Sequence, residues 1–418
     1  MDYSTLVVRL RLTFGCWLLA FGFPAAQQPA QPAAPPTFRS STDVVAVDVQ
    51  VIGKDGHPLV DLGTADFEVS LNGRPRRVVS ADLVRFSSAP VTSPQGGSAP
   101  ITLARDGRGN QRMIVIAVDE SSFSPAGWLA HRVAVDRFID RLPPDDLVGV
   151  YVYPFTESKL ELSRHRASLK VALGRAIGGF DPPAAKYYIG VEETLEISAR
   201  DGVALNKVAD RECGRLRPQD CVRDIQEQVA VTVHYLEGLG AQSLASFGRL
   251  MQGLVEVPGP KTVVLVTQRL IAGERAGARV DLTGRMNATA NLVAAADVHL
   301  YVLHSEDSFD EGLSAASNTQ TAGPAARVLN QLDDERTMAH GLERLAGKTN
   351  GSYISVSAGT VDRAFDRIMR ETTSYYLLAV STEPSDRDGR THFLRVSARA
   401  KGADVHHRTV VRIPKSRQ

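Results

Sequence analysis

Asp119, Ser121 and Ser122 are the residues of this sequence best placed to do chemistry. They end the segment Met113-Ile-Val-Ile-Ala-Val-Asp-Glu-Ser-Ser122, in which six apolar residues run into a carboxylate and two hydroxyls. An unbroken apolar run of that length reads as a strand buried on both faces, in a parallel sheet covered by helices. Open α/β sheets bind ligands outside the carboxyl ends of their strands, so Asp119 and Ser121 belong to the ligand-binding edge. The competing reading is structural: Ser121 or Ser122 can cap the helix that follows.

Other polar groupings carry less. Asp145-Asp146 follows Pro143-Pro144 and reads as a turn rather than an acid/base pair. Ser305-Glu-Asp307 with His304 lies after another apolar run, yet no Gly-x-Ser-x-Gly elbow accompanies it, so a solvated acidic loop is expected. His406 and His407 are adjacent in a β segment, face opposite sides and cannot easily chelate one ion. Asp386 to Gly389 lacks the rest of a calcium loop and reads as a hairpin tip. Phosphate-loop and dinucleotide fingerprints are absent.

The chain has 418 residues, 43% hydrophobic and 23% charged, a globular balance for two or three domains. A formal net charge of +1 with scattered Lys and Arg argues against nucleic acid as a partner. Arg9 and Arg11 precede the apolar stretch Leu12 to Phe23, and Pro24-Ala-Ala26 offers small residues for cleavage. Residues 1–26 therefore read as a signal peptide, too short to span a bilayer comfortably, with no integral membrane span expected in the mature chain. A secreted, periplasmic or envelope-associated protein follows. In that oxidising setting Cys213 and Cys221 are expected to form a local disulfide.

The organisation is expected to run as follows. Residues 27–37 are a Pro-rich spacer, 38–87 an N-terminal β region with an Asn72-Gly73 hairpin turn, and 88–111 a linker. From 112 to 372 strands and helices alternate, implying a doubly wound, mainly parallel α/β sheet of Rossmann type. Residues 181–240 break that period and read as an insertion, helical at 224–239, and a separate helix is expected at 243–255; Tyr187 and Tyr188 of the insertion serve either a partner or the core. Residues 373–414 form a three-stranded meander. Each flanking β segment is too small to be stable alone, so the two are expected to join in a small sandwich.

The order of these pieces resembles the von Willebrand factor type A (vWA) domain family, in particular the bacterial secreted VWFA-related group. The likeness rests on Val44 to Ile52, Lys54 to Leu62, Asp66 to Val69, Met113 to Asp119, Pro143 to Val150, Lys261 to Thr267, Ala296 to Val302, Leu345 to Tyr353 and Thr373 to Leu378. It implies a vWA-like sheet and, in many such domains, a metal-ion-dependent adhesion site. That site has an Asp-x-Ser-x-Ser motif, a loop threonine and an aspartate after the central strand. Oxygen ligands of that kind suit magnesium or another divalent cation.

Asp119 and Ser121 match its first two positions, and Phe123 stands at the third, flanked by Ser122 and Ser124. Thr267-Gln268-Arg269 stands where the family usually has Thr-Asp-Gly, and Thr194 is the nearest candidate for the loop threonine. The resemblance therefore implies a degenerate metal site. The expected function is an exported, non-enzymatic module binding an unidentified protein partner at a rim made of Asp119, Ser121, Ser122, Ser124, Thr267 and Gln268. The alternatives are a metal-dependent adhesin using Asp119 and Ser121, and an envelope hydrolase with its site in the insertion and the 304–311 loop.

Overall fold

The computed structural model of the protein describes residues 44–86, 112–156, 158–214, 216, 218–271, 280–306, 324–357 and 359–415. The expected signal peptide, the spacer, the 88–111 linker and residues 307–311 of the acidic loop lie outside the described residues.

Five strands form a parallel sheet: β5 (Met113–Asp119), β6 (Leu147–Tyr153), β7 (Lys261–Thr267), β8 (Val298–Ser305) and β9 (Ser352–Val356). Their order is β6-β5-β7-β8-β9. Every residue of β5 and of β7 is buried, the pattern a continuous apolar run requires when helices cover both faces. Alternate residues separate into two cores. Val115, Ala117, Val263, Leu265, Leu300 and Val302 face one, and Ile114, Ile116, Val118, Val264, Val266 and Leu303 face the other.

The second face is covered by α1 (Pro125–Arg141), α2 (Arg166–Leu173) and α8 (Val361–Glu371). The first is covered by α3 (Val191–Ser198), α4 (Gly202–Cys213), α5 (Gln219–Val255), α6 (Thr283–Ala295) and α7 (Pro324–Thr349). From β5 the chain passes through α1 to β6 on one side, while β7 lies on the other. The carboxyl ends of β5 and β7 therefore flank the point where strand order reverses.

The two expected helices at 224–239 and 243–255 are one helix of 37 residues, α5. Its buried positions continue through Leu236, Gly240, Ser243 and Phe247, so one apolar face runs past the glycines. A side chain at Gly240 would come within 2.6 Å of Leu282, so glycine is what lets that residue approach. In the insertion Tyr187 and Tyr188 are buried core anchors, and Cys213 and Cys221 are disulfide-bonded, joining the end of α4 to the start of α5.

The remaining strands pack as two antiparallel sheets of four. One runs β12 (Asp404–His407), β1 (Val44–Ile52), β10 (Ser374–Ser381), β4 (Val78–Arg85); the other runs β13 (Val410–Arg412), β11 (Thr391–Ala398), β2 (Phe67–Leu71), β3 (Arg74–Arg76). Both sheets combine strands from the two flanking segments, and alternate residues such as Val47, Val49, Val69, Leu378 and Val396 fill the space between them. The expected meander is corrected: β10 pairs with β1 and β4, whereas β11 pairs with β2 and β13. Consecutive pairing of β10 with β11 would leave the apolar rows of β1 and β2 without an opposing layer. A buried bidentate ion pair, Arg76 to Asp386 at 2.8 Å for each bond, fixes the crossing between the sheets.

Candidate functional site

Asp119 ends β5, where the chain leaves the sheet in a short 3-10 turn over Glu120–Ser122. Its Oδ1 accepts from the Ser121 amide at 3.2 Å and from the Ser121 hydroxyl at 2.6 Å, an Asx-type turn that closes the strand end. Its Oδ2 accepts from the Ser243 hydroxyl of α5 at 2.5 Å. Ser122 Oγ donates to the Asp119 carbonyl at 2.7 Å and accepts from the Gln268 amide at 2.9 Å, which ties the ends of β5 and β7 together.

Ser124 caps α1 by accepting from the Gly127 amide at 3.2 Å. Gly178 makes room beneath it: its φ is +71°, and a Cβ there would lie 2.6 Å from the Ser124 carbonyl. Glu120 is fully buried and clamps the chain after β6. Its Oε1 accepts from the amides of Phe155, at 2.9 Å, and Thr156, and its Oε2 accepts from the Thr156 hydroxyl at 2.9 Å.

Arg269 is the cation of this site. It is 7% exposed, its guanidinium lies 3.7 Å from the Phe180 ring centre, and its Nη2 donates to Gln268 Oε1 at 2.9 Å. It shares with Asp119, Ser121, Ser122 and Ser243 a cavity of about 20 Å³, room for about one water. Burial lowers the Arg269 value to about 9, against the pull of Tyr235 and of the Asp119 charge. Burial likewise raises Asp119 to about 6, against the Ser121 and Ser243 hydrogen bonds that favour its ionised form.

The expected rim is corrected in one respect. Asp119, Ser121, Ser122, Thr267 and Gln268 do come together, but all are buried, and only Ser124 is partly exposed. Leu236, Gly240 and Ser243 of α5, with Phe180, Leu270 and Ile271, close over Asp119, Ser121 and Ser122. They form an internal polar joint instead of an open lip. Phe123, at the third motif position, is fully buried, with its ring 5.6 Å from Trp128 and 5.5 Å from His131. Thr194 is buried in α3 and does not line the Asp119 cavity.

A divalent cation does not fit these residues. Both Asp119 oxygens accept hydroxyl protons, an arginine lines the cavity, Phe123 offers no ligand atom, and Gln268 Oε1 already accepts from Arg269. Among the described residues no group of three His, Cys, Asp or Glu side chains could hold a metal ion.

The polar joint continues along the sheet edge. His131 Nε2 lies 2.6 Å from Ser305 Oγ and its Nδ1 lies 2.8 Å from the Gly127 carbonyl. A proton on Nδ1, assigned from that carbonyl, makes Nε2 the acceptor of the Ser305 hydroxyl. The spacing is that of a base and a nucleophile, but both residues are about 2% exposed. His304 Nδ1 lies 2.6 Å from the Tyr353 hydroxyl, and burial lowers the His304 value to about 4.

Ser243 and His131 were not among the residues singled out from sequence; Ser305 was, but beside His304, whereas its partner is His131. The available signal for Ser243 was a small polar residue on the apolar stripe of a helix, as for Ser246, which is also buried. Asp146, expected in a turn, is also the buried partner of Arg112, at 2.9 Å from its Nε.

No helix among the described residues is long and apolar enough to cross a membrane. No protein-family model matches the chain, and no curated relative matches it. Among solved structures it is similar to the pilus adhesin SpaC from Lactobacillus rhamnosus GG in its open conformation, with 8% identity and a TM-score of 0.33. That match covers 90% of this chain and 50% of the other, so the chain spans about half the length of that structure. A likeness of this degree fixes neither family nor function.

Proposed function

We propose that the protein is an exported, non-enzymatic protein-binding module built on a vWA-like sheet, whose cation site has become a closed internal joint. The observation that carries this reading is the saturation of Asp119 by Ser121 and Ser243 beside the buried Arg269. An internal guanidinium supplies the positive charge that a metal would bring, and a seryl hydroxyl occupies the carboxylate oxygen that a metal would use. Buried in this way, the joint positions strand ends and does not itself meet a partner.

Recognition then falls to the surface beside it. Leu129 and Val133 of α1, Val171 of α2, and Phe155 and Ile177 in the neighbouring loops are exposed, Ile177 to 68%. Ile177 and Phe155 lie near the start of α1: Gly178, after Ile177, sits on Ser124, and Gly179 sits against the Phe155 ring. A contiguous exposed apolar patch is the kind of surface that takes a protein partner.

The test is capture of envelope or extracellular proteins by the immobilised mature chain, with and without chelator. The reading expects capture that survives chelation and is lost in the Leu129→Asp/Ile177→Asp double variant. Capture that requires an added divalent cation, or that the double variant retains, contradicts it.

A further inference from the structure

At the opposite edge of the parallel sheet a second cavity, of about 70 Å³, lies between the amino ends of β5, β7 and β8 and the sandwich strands β1, β10 and β12. One water needs about 10–15 Å³ by this measure, so the space suits a small molecule of several heavy atoms. Two walls face each other across it. Asp297 and His299 enter β8 on one, and His406 and Arg408 stand on the other. Arg408 Nη1 is 4.0 Å from Asp297 Oδ1, and the His406 ring centre is 4.6 Å from that of His299.

Two nitrogens in these walls, Arg408 Nε and His299 Nε2, are buried and have no hydrogen-bond partner among the described residues. Arg408 Nε is a donor, and so is His299 Nε2 in the tautomer that protonates it; buried donors left unmet are costly, so the pair around one cavity points to something that accepts from both. Arg112, Lys261 and Arg408 line the cavity with the carboxylates Asp48 and Asp297, and His407 adds a further imidazole. Arg112 is already paired with Asp146, so the fixed charges balance and a proton taken up by a histidine would tip the cavity positive.

We propose that this seam cavity is a binding site for a small oxyanion of the carboxylate or phosphate class, held by Arg408 Nε and His299 Nε2. Arg408 is also held in place by the Ala46 carbonyl, which orients its fork with Nε still available. His406 packs against His299 and is itself held in place. Its Nδ1 lies 3.2 Å from the Asn350 carbonyl and its Nε2 3.4 Å from the Ser352 hydroxyl. Without an anion, burial and the neighbouring His406 hold His299 well below the ordinary imidazole value, so it is neutral. An anion beside it favours the charged form, so binding takes up protons and tightens as pH falls, by at most about tenfold per pH unit for one proton.

The test is calorimetry and thermal denaturation of the mature chain with acetate and, separately, with phosphate. Each is compared with chloride at the same ionic strength, at pH 6 and pH 8. Saturable binding with one site per chain is expected, tighter at pH 6 than at pH 8 by up to about tenfold per pH unit. Arg408→Gln should abolish it, and His299→Gln, which keeps a neutral donor, should bind with the pH dependence removed. Whichever anion binds identifies the class. Shifts that chloride reproduces, non-saturating responses, or wild-type affinity in Arg408→Gln overturn the proposal. So does a high-resolution structure in acetate and phosphate showing only water between His299 and Arg408. If Arg408→Gln fails to fold, the pH dependence of the parent against His299→Gln decides alone.

Discussion

Ser243 and Asp119, 124 residues apart in sequence, meet at 2.5 Å where the long helix α5 crosses the carboxyl end of β5. That contact converts an acidic strand end of the kind that ordinarily faces a ligand into part of the interior. It also sets the electrostatic behaviour of the site, because a carboxylate covered by a helix loses its water.

Asp119 should make stability fall as pH rises through the carboxylate range. Its folded value is about 6 against an ordinary 3.8, so its stabilising contribution is complete below 3.8 and lost through 6. The gap corresponds to about 3 kcal/mol at neutral pH. Urea unfolding of the parent and of Asp119→Asn should show the parent losing roughly that much relative to the variant between about pH 4 and pH 7. A parent that gains on the variant over this range contradicts the assignment.

Phe123→Ser places a hydroxyl two residues after Ser121 but should not create cation binding. The ring is fully buried against Trp128 and His131, so its removal should cost about 3–5 kcal/mol as a cavity. Denaturant midpoints measured with and without magnesium check both halves, and a magnesium-dependent rescue would count against the closed joint.

Glu120→Gln should loosen the chain after β6. The carboxylate accepts three hydrogen bonds from Phe155 and Thr156, and charge-assisted bonds of this kind contribute about 1.5–3 kcal/mol. Hydrogen exchange at the Phe155 and Thr156 amides should speed up in the variant. Unchanged protection there would show that the clamp is not what holds them.

Reduction, or Cys213→Ser with Cys221→Ser, should lower stability by about 2.5 kcal/mol, the loop entropy of a short closure. The loss should be read by unfolding under oxidising and reducing conditions, and equal midpoints in the two would contradict a structural bond.

The strands were legible because each buried apolar run, from Met113 to Val118 and from Thr262 to Val266, could fit only an interior strand. The Asn72-Gly73 turn was legible for the same local reason, since both residues take positive φ, at 49° and 77°. Pairing partners were not, because β10 finds β1, and β11 finds β2, more than 300 residues back in the chain. That Asp119, Ser121 and Ser122 would meet Gln268 was also legible, and their burial was not. Whether Asp119 faces water depends on α5, whose crossing no local pattern specifies. The positive charge of Arg269 was visible in the sequence; its seat over Phe180 was not.

The most direct measurement is a calorimetric titration of magnesium, manganese and calcium into the purified mature protein, alongside a Gln268→Asp/Arg269→Gly variant. The parent should give no heat beyond dilution and no shift in melting temperature. The variant, with its internal cation removed and a second carboxylate supplied, should gain a cation-dependent rise. Binding to the parent with a definite stoichiometry, abolished by Asp119→Ala, would show that Arg269 and Ser243 do not close the site.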